Sequence, residues 1–380
     1  MDVPVAKPFF SNEEVEAVRQ VIASGWVSQG PKVREFEQAF AAFVGTREAV
    51  AVSSCTAALH LSLAALGIRE GDEVILPAFT FVASANVVLY QRAVPVLADI
   101  DLDSYTIDPD DVERCLSPRT KAIMPVHLFG LAADMDPLLE TAARHGVSVV
   151  EDAACAHAAT HRGRNVGTFG TVACFSFHPR KLLSTGEGGM ITTDDADLAR
   201  RLRSLRSHGG SVEAYERHAA RSVAEPKFVE LGYNYRLTDI QAAIGLVQLS
   251  RAGQMLEQRR KLADRYGESL KGLRCLRLPM EPARALHTFQ SYVVRVTEEC
   301  QVTRDEVMEQ LQLRGISTRR GTNAIHHEPL YRGLVPAEPA KLKRSTHAEQ
   351  STLALPLYPS MTDDEQDAVI EALREVLAKE

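Results

Sequence analysis

Residues 174–189 read Cys-Phe-Ser-Phe-His-Pro-Arg-Lys-Leu-Leu-Ser-Thr-Gly-Glu-Gly-Gly, and this stretch decides how the rest of the chain is interpreted. Residues 172–177 form a short apolar run that predicts a buried strand. The polar loop that follows holds a single lysine, Lys181, and ends in a glycine-rich turn. In open α/β sheets ligands bind at the carboxyl ends of the strands, so the pattern places an amine at a binding edge.

An amine in that position can do chemistry if its surroundings help it to lose a proton. The reaction that fits Lys181 best is a Schiff base to an aldehyde such as that of pyridoxal phosphate (PLP). A solvated surface lysine in a polar loop is the alternative that this stretch alone leaves open. A PLP site also needs a carboxylate for the ring nitrogen, backbone N–H groups for the phosphate and a side chain that stacks on the ring.

The composition is that of an ordinary globular protein. The 380 residues are 45% hydrophobic and 24% charged, which is enough for a large core and a second domain. The net charge of −7 disfavours a nucleic-acid surface. The six cysteines form no Cys-x-x-Cys pair, so we expect reduced thiols and no metal site. The sequence shows neither a signal-peptide pattern nor an apolar run of membrane-spanning length, and we expect a cytoplasmic protein that binds no membrane.

The first half of the chain alternates short apolar runs with helical patterns. This β-α-β rhythm predicts an α/β fold with a mainly parallel central sheet flanked by helices and joined by right-handed crossovers. A long helix from about residue 240 to residue 270 is predicted to link two domains. We expect a large domain over residues 1–250, with an N-terminal helix and loop segment, and a small C-terminal α/β domain over residues 251–380.

A strand-to-helix turn at residues 53–56, Ser-Ser-Cys-Thr, offers a cradle for a phosphate. The first turn of a helix has free N–H groups, and its dipole favours a dianion there. Plain N-capping of the helix by these hydroxyl residues is the alternative interpretation.

Two aromatic residues are candidates for lining a pocket. Phe81 follows a predicted strand at residues 74–77, where it could stack on a flat ring, although most such residues belong to a core. Trp26 lies in a loop bounded by glycines, and packing against the helix that follows is an equally good explanation for it.

Two acidic residues end the predicted strand at residues 147–152. A carboxylate that follows two valines is costly to bury unless a cation faces it, and a protonated pyridine nitrogen would serve. Asp152 is therefore the candidate partner of the ring nitrogen. Glu151 points to the opposite face by strand alternation and is more consistent with a structural role.

Five segments, taken together and in chain order, resemble the DegT/DnrJ/EryC1/StrS family. They are residues 53–60, 71–84, 151–157, 175–189 and 232–243. Members of this family are PLP-dependent aminotransferases of fold type I, typically acting on keto sugars linked to nucleotides. The resemblance spans nearly the whole chain.

The resemblance implies a role for each matching residue. Lys181 would form the Schiff base with PLP, Asp152 would pair with the pyridine nitrogen, and Phe81 would stack on the ring. The phosphate would be held by the amides of Thr56 and Ala57, by the Ser176 hydroxyl and by Asn234 from a neighbouring subunit. The resemblance thus implies a homodimer with shared active sites, although Asn234 could equally be a residue at the entry of a helix.

Two departures from the family pattern affect the expected site. Cys155 stands where the family usually has a glutamine that contacts the phenolic oxygen of the cofactor, and a thiol is a weaker donor. Ala158 replaces a usual glycine. Residues 321–331 resemble the substrate-side loop of the family, with His326 as the better match of its two histidines.

The resemblance implies an aminotransferase that converts a keto sugar, with a nucleotide-linked keto-deoxyhexose as acceptor and glutamate as amino donor. We expect Lys181, desolvated and with a pKa near neutral, to move the proton during transfer. An aminotransferase for a keto-cyclitol is the alternative within the same class. A non-catalytic regulatory protein on the same fold is the alternative outside it.

Overall fold

The computed structural model describes residues 2–211, 227–335 and 339–378. Within these ranges the helices are α1 (Asn12–Ser24), α2 (Pro31–Val44), α3 (Cys55–Ala65), α4 (Ala83–Tyr90), α5 (Pro109–Cys115), α6 (Met135–His145), α7 (Ala196–Arg206), α8 (Asp239–Ser250), α9 (Ala252–Leu270), α10 (Arg304–Leu313), α11 (Lys343–Ser351) and α12 (Asp363–Leu377). The strands are β1 (Glu48–Val52), β2 (Glu73–Pro77), β3 (Val94–Ala98), β4 (Thr120–Ile123), β5 (Ser148–Asp152), β6 (Thr160–His161), β7 (Arg164–Asn165), β8 (Val172–Ser176), β9 (Gly189–Thr193), β10 (Leu276–Arg277), β11 (Ala285–Leu286), β12 (Tyr292–Val296), β13 (Arg319–Arg320) and β14 (Thr352–Leu355).

The large sheet has seven strands in the order β1-β9-β8-β5-β4-β2-β3. The strands from β3 to β8 in this order run parallel, and β9 runs antiparallel to both of its neighbours. Strands β2, β5 and β8 are buried along their length or nearly so, as expected for a sheet covered by helices on both faces. The predicted α/β fold with a mainly parallel sheet is confirmed.

A second, antiparallel sheet of four strands lies in the C-terminal part, in the order β10-β12-β14-β13. Its core packs against α9, α10 and α12 and is built from apolar side chains, of which Tyr266, Val294 and Leu373 are fully buried. This is the small α/β unit that the sequence predicts at the C-terminal end. A further small sheet has the order β11-β6-β7.

Each of the two cores includes side chains from the other part of the chain. Val3 near the N-terminus packs in the core of the small sheet and forms a bridge to Ile316. In return, Ile325 and Tyr331 pack in the core of the large sheet. The division into residues 1–250 and 251–380 stays a prediction, and these crossings tie the two parts together.

The helix predicted over about residues 240–270 is in fact two helices, α8 and α9, separated at Arg251. At the end of α8 the Ser250 hydroxyl donates to the carbonyl of Val247, and the Arg251 amide donates to that of Gln248. Both bonds tighten the last turn and end the helix. Helix α8 packs on α1 and α2, and α9 packs on α12. Among the described residues no helix combines the length and the apolar character that a bilayer-spanning segment needs.

Sheet register brings distant segments to one edge. Asp152 at the end of β5 pairs with Cys174 of β8. Ser176 at the end of β8 pairs with Gly189, which in turn pairs with Val52 at the end of β1. The carboxylate, the hydroxyl and the strand that leads into α3 therefore meet at the carboxyl edge of the sheet, where ligands bind in open α/β folds.

Candidate active site

Asp152 is a buried carboxylate with few partners. Its side chain is 5% exposed, and it accepts hydrogen bonds from the Ser84 hydroxyl at 2.8 Å and from the Ala154 amide at 3.2 Å. No cationic side chain of the described residues lies within ion-pair distance of it. Burial raises the pKa of Asp152 above its ordinary value, and the two hydrogen bonds and the Lys181 charge offset this only in part. A cationic group facing this carboxylate would remove the cost of its burial.

Glu151, the preceding residue, lies on the other face of β5 and is fully buried. Its carboxylate accepts four hydrogen bonds, from His127 Nε2 at 3.0 Å and from the amides of Gly167, Phe169 and Gly170 at 2.7–2.9 Å. His127 Nδ1 accepts from the Ala133 amide, so the ring proton lies on Nε2. Burial opposes the charge of Glu151, but these donors outweigh it and lower its pKa. The residue anchors the loop that carries the chain to β8.

Lys181 lies five residues beyond the end of β8 and is partly buried. Its Nζ donates to the Sγ atom of Cys155 at 3.0 Å. Burial acts to lower the pKa of Lys181, but the nearby Cys155, Cys55 and Asp152 together outweigh it and raise the pKa. The near-neutral pKa that we expect of this amine during transfer stays a prediction.

The N-terminus of α3, Asp152 and Lys181 converge. Cys55 is the first residue of α3, and Asp152 and Lys181 both act electrostatically on its thiol. Burial raises the pKa of Cys55 well above its ordinary value, Asp152 adds to the increase, and Lys181 opposes it. Lys181 and Asp152 also act electrostatically on each other. Since Lys181 Nζ also contacts Cys155, three residues after Asp152, the amine and the carboxylate lie near each other.

The turn before α3 has the features of a phosphate cradle. Ser54 caps the helix and accepts from the Ala57 amide at 3.0 Å, so this amide is already engaged. The Thr56 amide makes no hydrogen bond within the part of the chain that the structure describes. A Cβ on Gly189 would lie 2.5 Å from the Ser54 carbonyl, which explains the glycine there. Thus Ser54 caps the helix through the Ala57 amide, and the Thr56 amide in the same turn is left for an anion.

Ser176 lies beside this turn on a neighbouring part of the sheet. It is buried, with 8% exposure, and its hydroxyl oxygen accepts from the His178 amide at 3.4 Å. Its pairing with Gly189 places it beside the start of α3. The hydroxyl proton of Ser176 remains available for an anion in this turn.

Phe81 and Asn234 both have exposed side chains. Phe81 is 60% exposed and lies between the end of β2 and α4, whereas Phe79 belongs to a core. This removes the alternative that Phe81 is a core residue. Asn234 lies next to Tyr235, whose carbonyl accepts from the Ser53 amide at 2.9 Å. The Asn234 side chain bonds to no described residue, so it is free to reach a neighbouring molecule.

The two substrate candidates, Trp26 and His326, are each held by contacts of their own. Trp26 packs against Gly30 at the start of α2, where a Cβ would lie 2.9 Å from the indole Cε3. His326 is buried in a short 3₁₀ helix, where its Nε2 lies 2.9 Å from the Thr346 hydroxyl oxygen. Burial lowers the pKa of His326 to about 4, with a further contribution from His327. Their roles toward a substrate stay predictions.

Ser84 is a site residue that sequence reasoning missed. It lies in the first turn of α4 and donates to Asp152 Oδ2. The signal was present, because a hydroxyl residue in the first turn of a helix after β2 lies at the same sheet edge as the end of β5. The residue appears in the segment 71–84, but no role was derived for it.

These residues fit PLP. A buried carboxylate with no cationic partner among the described residues matches a protonated ring nitrogen, and an open amide with a hydroxyl at a helix N-terminus matches a phosphate. Lys181 faces the same space, and the exposed ring of Phe81 is available for stacking. One departure is visible: Cys155 accepts from Lys181 Nζ, where a glutamine would offer an amide donor as well.

The second departure also has a structural consequence. Ala158 has φ +61°, in the left-handed region that favours glycine. The usual glycine of the family would adopt this conformation without strain. Ala158 lies in the loop that Glu151 anchors.

Comparison with known proteins gives the family. The sequence profile of the DegT/DnrJ/EryC1/StrS aminotransferase family matches residues 8–374. The chain is 42% identical over 377 residues to the spore coat polysaccharide biosynthesis protein SpsC of Bacillus subtilis strain 168, covering 99% of this chain and 97% of SpsC.

Solved structures agree. The aminotransferase TlmJ from Streptoalloteichus hindustanus is 36% identical, with a TM-score of 0.91 and coverage of 99% of each chain. S. venezuelae DesV in complex with a ketimine intermediate is 36% identical, with a TM-score of 0.90 and coverage of 100% of this chain and 99% of DesV. The match across nearly the whole chain confirms the resemblance found in the sequence and the expected fold type. The chain belongs to the DegT/DnrJ/EryC1/StrS family and is a PLP-dependent aminotransferase.

Proposed function

We propose that the protein transfers an amino group from glutamate to the ketone of a nucleotide-linked keto-deoxyhexose and so forms an amino sugar. The observation that carries the transfer is the convergence of Lys181, Asp152 and the N-terminus of α3 on one space. A sugar acceptor is supported by the similarity to SpsC, whose name refers to polysaccharide biosynthesis.

When bound, PLP supplies the aldehyde that a primary amine attacks and an electron sink for the carbon that loses a proton. The side chains of this protein do the remaining work. Asp152, ionised, holds the proton on the ring nitrogen, and Ser84 fixes the orientation of its carboxylate. Ser176 and the Thr56 amide hold the phosphate, and Phe81 covers one face of the ring.

Lys181 is the proton carrier in this proposal. With the cofactor bound, its amine would take the proton from the Cα atom of the donor and would return it at the C4′ atom. Because the pKa of Lys181 is raised in its present surroundings, the amine must first give up a proton before it can act as a base. Positioned acid–base transfer of this kind contributes about 10²–10⁴-fold to the rate.

We also propose a homodimer with shared sites. The exposed, unbonded side chain of Asn234 supports this, since it lies beside the segment that leads into the phosphate cradle. Mixing two inactive variants tests the proposal: subunits carrying Lys181→Ala and subunits carrying Asn234→Ala should restore about one quarter of wild-type activity once subunits exchange. Mixtures that stay inactive after proven exchange would contradict shared sites.

Separate half-reactions test the proposed substrates. Glutamate alone should convert the PLP form to the pyridoxamine form, seen as loss of the visible cofactor band. Adding a nucleotide-linked keto sugar, the free keto sugar or a keto-cyclitol then identifies the acceptor by the mass change from ketone to amine. We expect the nucleotide-linked sugar to react fastest. A clear preference for the keto-cyclitol would replace the sugar with the alternative acceptor.

A further inference from the structure

A cavity of about 250 Å³ lies between the small sheet and the loops at the carboxyl edge of the large sheet. Its lining includes Phe81 and Arg180 from the large-sheet side, and Arg319 and Arg320 of β13 from the small sheet. The N-terminal residues Val5 and Ala6 close another side. The cavity therefore adjoins the proposed PLP site and is enclosed by both parts of the protein.

The carboxylates in this cavity already have partners. Glu328 accepts from Asn323 Nδ2 at 2.6 Å, and Glu349 accepts from His327 Nδ1 at 2.5 Å and from the Ala324 amide at 3.1 Å. Neither of these side chains is paired with an arginine of the cavity.

The arginines differ from one another. Arg320 Nη2 lies 3.4 Å from Asp305 Oδ2 and is paired. The guanidinium groups of Arg180 and Arg319 have no hydrogen bond or ion pair to any residue in the described ranges. Both residues are exposed, so each could be a solvated surface arginine taken by itself. Together they give the cavity two guanidinium groups that have no partner in the described ranges, and each can bind a carboxylate or a phosphate.

Both arginines line a cavity beside the loop that carries Lys181. Arg180 directly precedes Lys181, and its carbonyl accepts from Gln290 Nε2 at 2.9 Å, which holds the loop against the small sheet. Arg319 and Lys181 both act on His178. Burial lowers the pKa of His178, Glu187 raises it, and the charges of Lys181 and Arg319 lower it further. An anion held by the two guanidinium groups would therefore lie beside the loop that carries Lys181.

The size of the cavity favours a compact ligand. Sites for drug-sized molecules measure about 300–1,000 Å³, and this cavity falls below that range. A small amino acid fits such a volume, whereas a whole nucleotide sugar would extend well outside it. Two guanidinium groups match two carboxylates.

We propose that Arg180 and Arg319 form a carboxylate-binding subsite for the amino donor and make the enzyme selective for a dicarboxylic amino acid. The inference rests on the proposed transamination and adds the residues that choose the donor. The anionic chemistry is shared by the diphosphate of a nucleotide sugar, and the test below separates the two sources.

The test measures each half-reaction by itself under single-turnover conditions with the holoenzyme. The variants are Arg180→Gln, Arg319→Gln, the double variant and Arg319→Lys. Arg277→Gln is the control, because Arg277 is an exposed arginine on β10, at the opposite edge of the same sheet and outside the cavity lining.

We expect each Gln variant to lower kcat/KM for glutamate by about 10–100-fold, mainly through KM, because a charge-assisted hydrogen bond is lost. Conversion by alanine, which has one carboxylate, should fall much less, most clearly in one of the two single variants. Arg319→Lys should recover part of the loss, and Arg277→Gln should behave as wild type. The acceptor half-reaction of the pyridoxamine form should keep its wild-type KM for the keto sugar.

Two results would overturn the assignment. Equal losses with glutamate and alanine in every variant would show that the arginines do not read the second carboxylate. A loss confined to the acceptor half-reaction, and present only when the sugar carries a nucleotide, would assign the subsite to the diphosphate. If wild-type enzyme reacts with no amino acid at all, the proposed function itself fails, and that result is distinct from both.

Discussion

Two neighbouring carboxylates on β5 differ in how the protein satisfies them on the two faces of the sheet. Glu151 and Asp152 are both buried. Glu151 accepts four hydrogen bonds and its pKa is lowered despite burial, whereas Asp152 accepts two and its pKa is raised by burial. Both oxygens of Glu151 accept hydrogen bonds from the protein, whereas Asp152 has no cationic partner among the described residues.

The contrast teaches which buried carboxylate can be functional. A fully satisfied carboxylate is locked in place, so removing it should cost stability and little else. A buried carboxylate without a cationic partner destabilises the folded protein until a cationic ligand binds. Removing such a carboxylate should therefore affect ligand binding and not stability. The predictions below are ways to break this contrast.

The largest effect is expected for Lys181→Ala, which removes the amine that faces Asp152. Turnover should fall by at least about 10²–10⁴-fold, because both the covalent link to PLP and the proton carrier are lost. The measurement is steady-state transamination together with the visible absorption of the bound cofactor. Lys32→Ala, at an exposed lysine paired with Glu35, is the control. Near-normal turnover in Lys181→Ala would refute the assignment of this site.

Glu151→Gln should act on stability. The amide group of glutamine would face one of the donors that now bond to the carboxylate, and a buried donor left without a partner costs about 1–3 kcal/mol. Thermal unfolding should show a lowered midpoint, while the cofactor spectrum of the folded enzyme stays close to wild type. A normal midpoint combined with an altered spectrum would reverse the roles that we assign to the two faces.

The stability difference between wild type and Glu151→Gln should depend on pH. The pKa of Glu151 is lowered on folding, so its contribution is fully present above its ordinary value of 4.5 and is lost as the pH falls through the folded value. The two unfolding curves should therefore approach each other in acid. A difference that grows as the pH falls would contradict the sign of this shift.

A small effect is expected in the loop that Glu151 anchors. Ala158→Gly should stabilise the protein by about 1 kcal/mol, because Ala158 has a positive φ that glycine adopts without strain. The measurement is the unfolding midpoint, with Ala156→Gly as the matched control at a buried position that has no positive φ. Equal losses in both variants would show that strain at Ala158 is negligible.

Much of the site followed from the sequence. The β-α-β rhythm predicted the sheet edge at which strand ends meet, and this placed Asp152 and Lys181 at one edge, whereas Ser176 was added by the resemblance to the family. Strand alternation also separated Glu151 from Asp152 correctly. Both arguments depend on local periodicity, which a single sequence carries well.

What the sequence did not predict depends on contacts between distant segments. Cys155 accepts a hydrogen bond from Lys181 and raises its pKa, although the two residues are 26 positions apart in the sequence. Arg180 and Arg319 line the same cavity because of how the small sheet packs against the large one. Periodicity carries no information on such packing.

The central claim is that Asp152 is reserved for the cationic ring nitrogen, and a PLP analogue with carbon in place of that nitrogen tests it directly. With PLP, Asp152→Asn should slow the half-reaction with glutamate by about 10²–10³-fold. With the analogue, wild type and Asp152→Asn should react at the same low rate, because the partner of the carboxylate is gone. An equal penalty for Asp152→Asn with both cofactors would contradict the account.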